Sequence, residues 1–458
     1  MQSVRGVKQS VPKRKFIFLA LAVVCSCLQG VRFKANSQTP PPNLSSIQFI
    51  NGRWFDGTGF RPQTFYSVNG LLTQKKPATV DEVVDLKNGY VVPPFADVHC
   101  HHFYSTRNID QQIQQYLTDG VFYAKVQGGL RSGALAVADK VNRPQSVDAS
   151  YAHGILTPNY GHGVQIHEGL ALYSRVWGFD AEQIKKIRDS RLRENDAYYL
   201  INTAEEVERK WPLILKGKPD FIKILLLTSE EHEERKRRTD TVGNIGLDPS
   251  LVPLLVEKAH AAGLRVSAHV DTMTDYRIAL KAGVDEMAHL PGYHFGLEAD
   301  LRTYELTEED VKETARRGMW VDIAPVAIDV YNTQDPQLKT QIQERIDKVK
   351  IHNLQLLKRF KVKIAFGADR HGKTPVQDVL HLHKLGVFSN RELLKIWCED
   401  TPRSIFPKRR IGFLKTGYEA SFLVLKGNPL EDFQQITNIS LRFKQGYIVD
   451  VPNTTPAR

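Results

Sequence analysis

His99 and His101 flank Cys100 in the run Val98-His99-Cys100-His101, and a strand there puts both imidazoles on one face with the thiol on the other. Two imidazole nitrogens one pleat apart can hold a first-row divalent cation, which takes such ligands at roughly 2.0 to 2.1 Å. A histidine pair on a strand also serves as a hydrogen-bonded core feature, so the pair alone does not establish a metal site. Three further candidate ligands close similar apolar runs: His269 in Ser267-Ala268-His269-Val270, His289 in Ala288-His289-Leu290, and Asp369 in Phe366-Gly367-Ala368-Asp369. Lys223 lies within Phe221-Ile222-Lys223-Ile224-Leu225, where an unpaired ammonium is costly to bury. Such a lysine either snorkels out or pairs with an acid, or it has reacted with carbon dioxide to give a carbamate, an anion able to bridge two metals.

Bringing these residues together requires elements that end near one another. Eight apolar runs alternate with helical stretches, at 90–98, 120–126, 148–156, 220–227, 265–270, 286–290, 320–325 and 362–369. Helical candidates include 248–262, with Pro249 in its first turn, and 307–317, opening on a threonine cap. Eight βα units of this size predict an α/β fold, a (β/α)8 TIM barrel over about 91–408, whose C-terminal strand ends carry the active site. The candidate ligands all fall at or near those ends. Outside the barrel, short runs at 46–50 and 64–68 are punctuated by Asn51-Gly52, Asp56-Gly57 and Asn69-Gly70. The same texture returns at 420–425 and 440–443, so 46–90 and 409–450 are expected to build one small β-sandwich.

The chain has 458 residues, 41% hydrophobic and 25% charged, a composition that supports a large core. Its first fifteen residues carry five Lys or Arg and no acid, and an apolar run from Phe16 to Leu28 follows. That order is expected of a secretory signal over 1–37, with 38–45 as a linker and export to a bacterial periplasm or the extracellular medium. The run is shorter than the roughly 20 apolar residues that span a bilayer. Ala35-Asn36-Ser37 offers an ordinary cleavage site, Val24-Cys25-Ser26-Cys27 a lipobox-like one that would leave a lipid anchor on Cys27, and an uncleaved anchor is the third outcome. Removing 1–37 takes away seven Lys or Arg and no acid, and lowers the formal charge from +11 to +4. The basic excess thus belongs mostly to the leader, and a nucleic-acid partner loses its main support. The run at 230–238, EEHEERKRR, mixes both signs and reads as a solvated face. Beyond the leader only Cys100 and Cys398 remain, and both are expected as free thiols.

From 46 to 449 the chain resembles the amidohydrolase superfamily, in particular its imidazolonepropionase-like and Xaa-Pro dipeptidase-like members. The resemblance rests on Pro93-Pro94-Phe95-Ala96-Asp97-Val98-His99-Cys100-His101, Asp220-Phe221-Ile222-Lys223-Ile224, Ala282-Gly283-Val284-Asp285-Glu286-Met287-Ala288-His289 and the closing Gly427-Asn428-Pro429-Leu430-Glu431-Asp432. It implies two divalent ions, with His99, His101 and Asp369 on one, His269 and His289 on the other, and carboxylated Lys223 between them. Zinc is the default for such a histidine-rich site, with manganese or iron permitted by the carboxylates. The implied reaction is hydrolysis of a C–N bond in a small amide, cyclic amide or dipeptide by a metal-bridged hydroxide, with Asp369 as the catalytic proton carrier.

The resemblance also implies that His162, in Tyr160-Gly161-His162-Gly163, faces the substrate, although a local loop hydrogen bond explains it equally well. His371 is placed at the same mouth or behind Asp369, and His260 at the surface. One departure concerns substrate: Asp271 stands where dipeptidase-like relatives often have a tyrosine, and a carboxylate there would repel a substrate carboxylate and attract an amine. Gly367-Ala368-Asp369 replaces the more familiar Gly-Thr-Asp, and Ala420-Ser421-Phe422 an Ala-Asp-Leu. A mononuclear deaminase or lactonase with unmodified Lys223, and an exported binding protein without turnover, remain open. A homo-oligomer is compatible with all three.

Overall fold

The computed structural model describes residues 46–293, 295, 297–324 and 335–451. The leader, the linker, Cys27 and Pro325 of the seventh expected strand lie outside the described residues. From the amino side come β1 (Ile47–Phe55), β2 (Phe60–Val68), β3 (Leu71–Thr73), β4 (Glu82–Asp85) and β5 (Tyr90–Val92). Ten strands follow among helices: β6 (Phe95–Cys100), β7 (Val121–Val126), β8 (Asp148–Tyr151), β9 (Ile155–Thr157), β10 (Tyr198–Leu200), β11 (Phe221–Leu225), β12 (Arg265–His269), β13 (Glu286–Met287), β14 (Trp320–Ile323) and β15 (Lys363–Phe366). Three more complete the chain: β16 (Phe422–Leu425), β17 (Ile439–Lys444) and β18 (Tyr447–Ile448).

The two ends of the chain share one eight-stranded sheet, in the order β18-β17-β16-β5-β1-β2-β3, with β4 beside β1. β5 is the seam, parallel to β1 and antiparallel to β16. Its far edge turns back, since Leu72 N donates to Tyr418 O (2.8 Å) just before β16. The segments form one hydrogen-bonded sheet around its own core, where Phe49 meets Phe422 and Phe443 edge to face at 4.9 Å. Such aromatic pairs add about 0.5–1.5 kcal/mol each beyond area burial.

The expected strand at 90–98 is two strands in two sheets. Pro93 and Pro94 have no N–H to give a ladder, so β5 ends before them and β6 begins a new pairing with β7 after them. All neighbours from β6 to β15 are parallel, in the orders β6-β7-β8 and β10-β9-β11-β12-β13-β14-β15. The break between the two groups falls within the expected strand 148–156, where Ala152-His153-Gly154 interrupts it and His153 sits at φ +57°. Even so, Asp220 N donates to Tyr151 O at 2.8 Å, next to β11. At the other end Asp369 N donates to His99 O at 2.7 Å, and Gly367 lies so close to His99 that a Cβ would meet its backbone nitrogen at 2.7 Å. Only glycine permits that approach of the β15 end to β6.

The helices start where side chains can satisfy their free N–H groups. Thr307 caps Glu308–Arg317 in a capping box with Asp310, and Thr272 caps Met273–Ala282 in another with Asp275. The expected 248–262 helix begins as a short 3-10 turn at Pro249–Leu251, capped by Asp248, and continues as Val252–Ala261. His260 is exposed there and bonds Asp285 at 2.9 Å.

A buried ion pair ties the small sheet to the parallel strands: Lys444 of β17 lies 2.7 Å from Asp148 of β8, and neither is exposed to solvent by more than 2%. Arg409 reaches the other Asp148 oxygen at 2.8 Å. Asp148→Ala leaves the buried Lys444 ammonium with the Arg143 and Ser146 carbonyls but no counter-charge, so it is expected to cost about 3–5 kcal/mol in a guanidinium unfolding curve. A loss under about 1 kcal/mol, the worth of an exposed pair, would show that the pair does not hold the two parts together.

Candidate metal centre

His99 belongs to β6 and His101 follows it directly, so the pleat that alternates side chains sends both rings to one side. Asp369 lies just past β15, with its φ at +49°, a left-handed backbone that is uncommon outside glycine. That conformation, fixed by the Asp369 N–His99 O bond, brings its Oδ1 to 2.9 Å from His101 Nε2 and 3.1 Å from His99 Nε2. The donor atoms of His99, His101 and Asp369 all lie within 4.8 Å of one another. His99 Nδ1 is 2.9 Å from the Ala288 carbonyl, to which it can only donate, so Nε2 carries the lone pair. His289, two residues past β13, is held in the same manner by the Ala324 carbonyl at 2.9 Å and stands 3.5 Å from Asp369 Oδ2. Burial by itself would raise the Asp369 carboxyl, but His289, His101 and Lys223 hold it well below the usual carboxylate range. It is therefore ionised at neutral pH.

Lys223 points inward from β11 and is 3% exposed, and among the described residues its Nζ has no hydrogen-bond partner. Burial lowers its amine to about 7, against the opposing pull of Asp369, Asp322 and Glu286. A neutral amine is the form that reacts with carbon dioxide. The pairing alternative raised by the sequence belongs to another lysine: Lys125 is the one that pairs with Glu286, alongside Gln127 and Ser267. A buried amine of lowered proton affinity, coupled electrostatically to His99, His289 and Asp369, suits a site that gathers cationic and anionic groups around a divalent ion.

His269 ends β12, with its ring 4.6 Å from that of His289. Asp271 is drawn in beside it. Its Oδ1 lies 3.0 Å from His269 Nε2, and it is 9% exposed. A carboxylate accepts, so Nε2 bears the proton and Nδ1 keeps the lone pair for an ion. The residue expected as a free charge at the mouth is thus engaged in orienting a candidate ligand. His162 opens the helix His162–Tyr173, half-buried, with its ring 5.5 Å from His269 and 5.7 Å from the exposed Trp177. His371 lies beside His101, the two rings tilted by 35° with 5.3 Å between their centroids. His99, His101, His162, His269, Asp271, His289, Asp369 and His371 are thus linked by contacts at the C-terminal ends of the parallel strands, and Lys223 lies two residues inside the end of β11. Cys100 and Cys398 are free and buried.

No family model matches the chain. Ochratoxinase of Aspergillus niger is 25% identical over 230 residues, which are 48% of this chain and 45% of that protein, so the chain spans about half the length of the curated relative it matches. Among solved structures, an amidohydrolase superposes with a TM-score of 0.68 at 18% identity, covering 90% of this chain and 100% of its own. The chain has the amidohydrolase fold. The A. niger ochratoxinase structure superposes at 0.67 with 18% identity, covering 90% of this chain and 97% of its own. A Xaa-Pro dipeptidase with bound methionine does so at 0.64 with 17% identity, covering 89% of this chain and 100% of its own.

Within this amidohydrolase fold, three supporting residues escaped the sequence reading. Asp97, inside β6, accepts from His99 N (3.0 Å) and Ala368 N (3.1 Å) and so joins the two strand ends that carry the ligands. Tyr116 donates to its other oxygen at 2.7 Å, and burial pushes its carboxyl up to about 7. An acid inside an apolar strand was the available signal. His102 accepts from Gly372 N at 2.8 Å and fastens the segment after Asp369. Tyr293, in the loop after β13, stacks on His289 at 4.7 Å, and its hydroxyl bonds Asp271 and lies 3.2 Å from His269 Nε2. A loop tyrosine four residues past His289 carries no periodic signal.

Proposed function

We propose that this chain is an exported metal-dependent amidohydrolase that cleaves a C–N bond in a small amide, cyclic amide or dipeptide. The observation that carries this reading is Lys223, whose buried Nζ has no hydrogen-bond partner among the described residues and interacts electrostatically with His99, His289 and Asp369. In this reading β6, β7, β8 with β9, and β11 to β15 close as one (β/α)8 barrel, residues 1–37 direct export, and the shared terminal sheet is an accessory layer. His99, His101 and Asp369 would hold one divalent ion, His269 and His289 would hold a second, and a carboxylated Lys223 would supply the shared anion, with zinc as the default. The ions supply a water nucleophile at neutral pH and polarise the scissile carbonyl. Ionised Asp369 accepts the proton of the attacking water and returns it to the leaving amine. Asp271 and Tyr293 fix the His269 ring, while His162, Trp177 and His371 bound the space for substrate. The names of the similar proteins, ochratoxinase and Xaa-Pro dipeptidase, support an amide-type substrate.

A mononuclear deaminase or lactonase is favoured by one observation, that among the described residues the tight donor group at this site comprises His99, His101 and Asp369 alone. Metal content separates the readings: two equivalents support the bridged hydrolase, one the mononuclear enzyme, and none a binding protein. Chelation is expected to lower hydrolysis of small amides, lactones or dipeptides by at least about 10³-fold, since a metal contributes several kcal/mol to such a step. Added zinc or manganese restores it. Full turnover in rigorously metal-free protein would remove the proposal.

A further inference from the structure

The charged run 230–238, expected to be solvated, contains one residue that is not. His232, at the start of the short helix His232–Arg235, is only 6% exposed, and among the described residues its Nδ1 is buried with no hydrogen-bond partner. A ring nitrogen of His232 and one carboxylate oxygen each of Glu233 and Asp248 all lie within 4.8 Å of one another, and both carboxylates act electrostatically on the imidazole. Asp248 spends Oδ1 on Ser250 N (2.9 Å) and Ser250 Oγ (2.7 Å), which leaves Oδ2 available. The competing cation is Lys236, whose Nζ is 4.0 Å from Glu233, but both of those side chains are more than half exposed. Such a pair is weak and screened by salt.

We propose that His232, Glu233 and Asp248 form a peripheral divalent-cation site, distinct from the Lys223 centre and independent of the function proposed for it. One imidazole nitrogen and two carboxylate oxygens suit a first-row ion, zinc above all. A tetrahedral ion with ligands at about 2.0–2.2 Å sets its donors roughly 3.5 Å apart, so the three side chains close by about 1 Å on binding. The ligands come from the two ends of one loop, 232 and 233 at its start and 248 at its finish, and the ion clips those ends together. Further along the same loop, Gly243 N donates to Tyr160 O at 2.8 Å, and His162 Nδ1 lies 3.3 Å from Gly243 O. The clip therefore steadies the segment against which His162 rests.

Lys236, Arg237 and Arg238 lie exposed inside the clipped loop and offer tryptic cleavage sites. In the full chain, zinc content after equilibrium dialysis is expected to be one equivalent higher in wild type than in Glu233→Gln or His232→Gln, because the Lys223 centre contributes equally to all three. Zinc at ten times its dissociation constant should slow tryptic cleavage at 236–238 by about tenfold in wild type and leave both variants unchanged. Glu233 is exposed, so its variant tests the site without disturbing the core. Equal zinc content in wild type and Glu233→Gln, or wild-type cleavage that ignores zinc, overturns the proposal.

Discussion

Asp369→Asn is expected to lower kcat/KM by about 10²- to 10⁴-fold, the range for losing a positioned acid–base group. The amide keeps the shape and the backbone bond to His99 O but can neither stay ionised nor carry a proton from water to leaving group. The carboxylate is available for that work because His289, His101 and Lys223 hold its proton affinity low in spite of burial. It also contributes an oxygen to the tight group with His99 and His101, so metal affinity falls as well. The measurement is steady-state kinetics at saturating divalent metal, with metal content determined on the same sample, so that lost binding and lost proton transfer are read separately. With metal fully restored, the deficit should remain in kcat. A metal-loaded variant within about threefold of wild type in kcat/KM would take Asp369 out of the proton-transfer role.

The clustering of the candidate ligands was legible because parallel strands of similar length end together, so an acid or imidazole closing an apolar run is recognisable one run at a time. His99, His101, His269, His289 and Asp369 all follow that rule. The strand boundaries were less legible. Pro93-Pro94 splits 90–98 between two sheets, although its apolar content is unbroken, because what ends the ladder there is a missing donor and not a change in hydropathy. Directions of loop side chains are not encoded by period at all. Asp271 follows its strand by two residues and reads as a charge at the mouth, but Asp271–His269 contact is decided by the Thr272–Asp275 cap that turns the chain, with Asp271 N itself bonded to Asp275 at 3.0 Å. His232 shows the same limit from the other side, a buried ring within nine residues of which eight are charged. Composition reports the average of a run and conceals its one inward residue.

Lys223→Met is expected to reduce metal content from two equivalents toward one and to lower kcat/KM by about 10³-fold, as the loss of several kcal/mol of metal assistance requires. The substitution is chosen for its shape. Methionine fills the space of the lysine stem between the neighbours of β11 and adds no cation to a site that is 3% exposed, so the packing of the strand is kept. What it removes is the nitrogen, and with it the carbamate that would offset the charge of two divalent ions. Lys223→Ala makes the complementary case, since it leaves a void at the same point. A short carboxylic acid in the buffer can enter that void and present an oxygen pair in place of the proposed carbamate, so partial recovery is expected in the alanine variant and not in the methionine one. The contrast separates a missing anion from a damaged strand core, because a packing defect would not be repaired by an acid. If Lys223→Met kept two metals and wild-type turnover, the bridging lysine would be excluded, and the mononuclear reading built on His99, His101 and Asp369 would take its place.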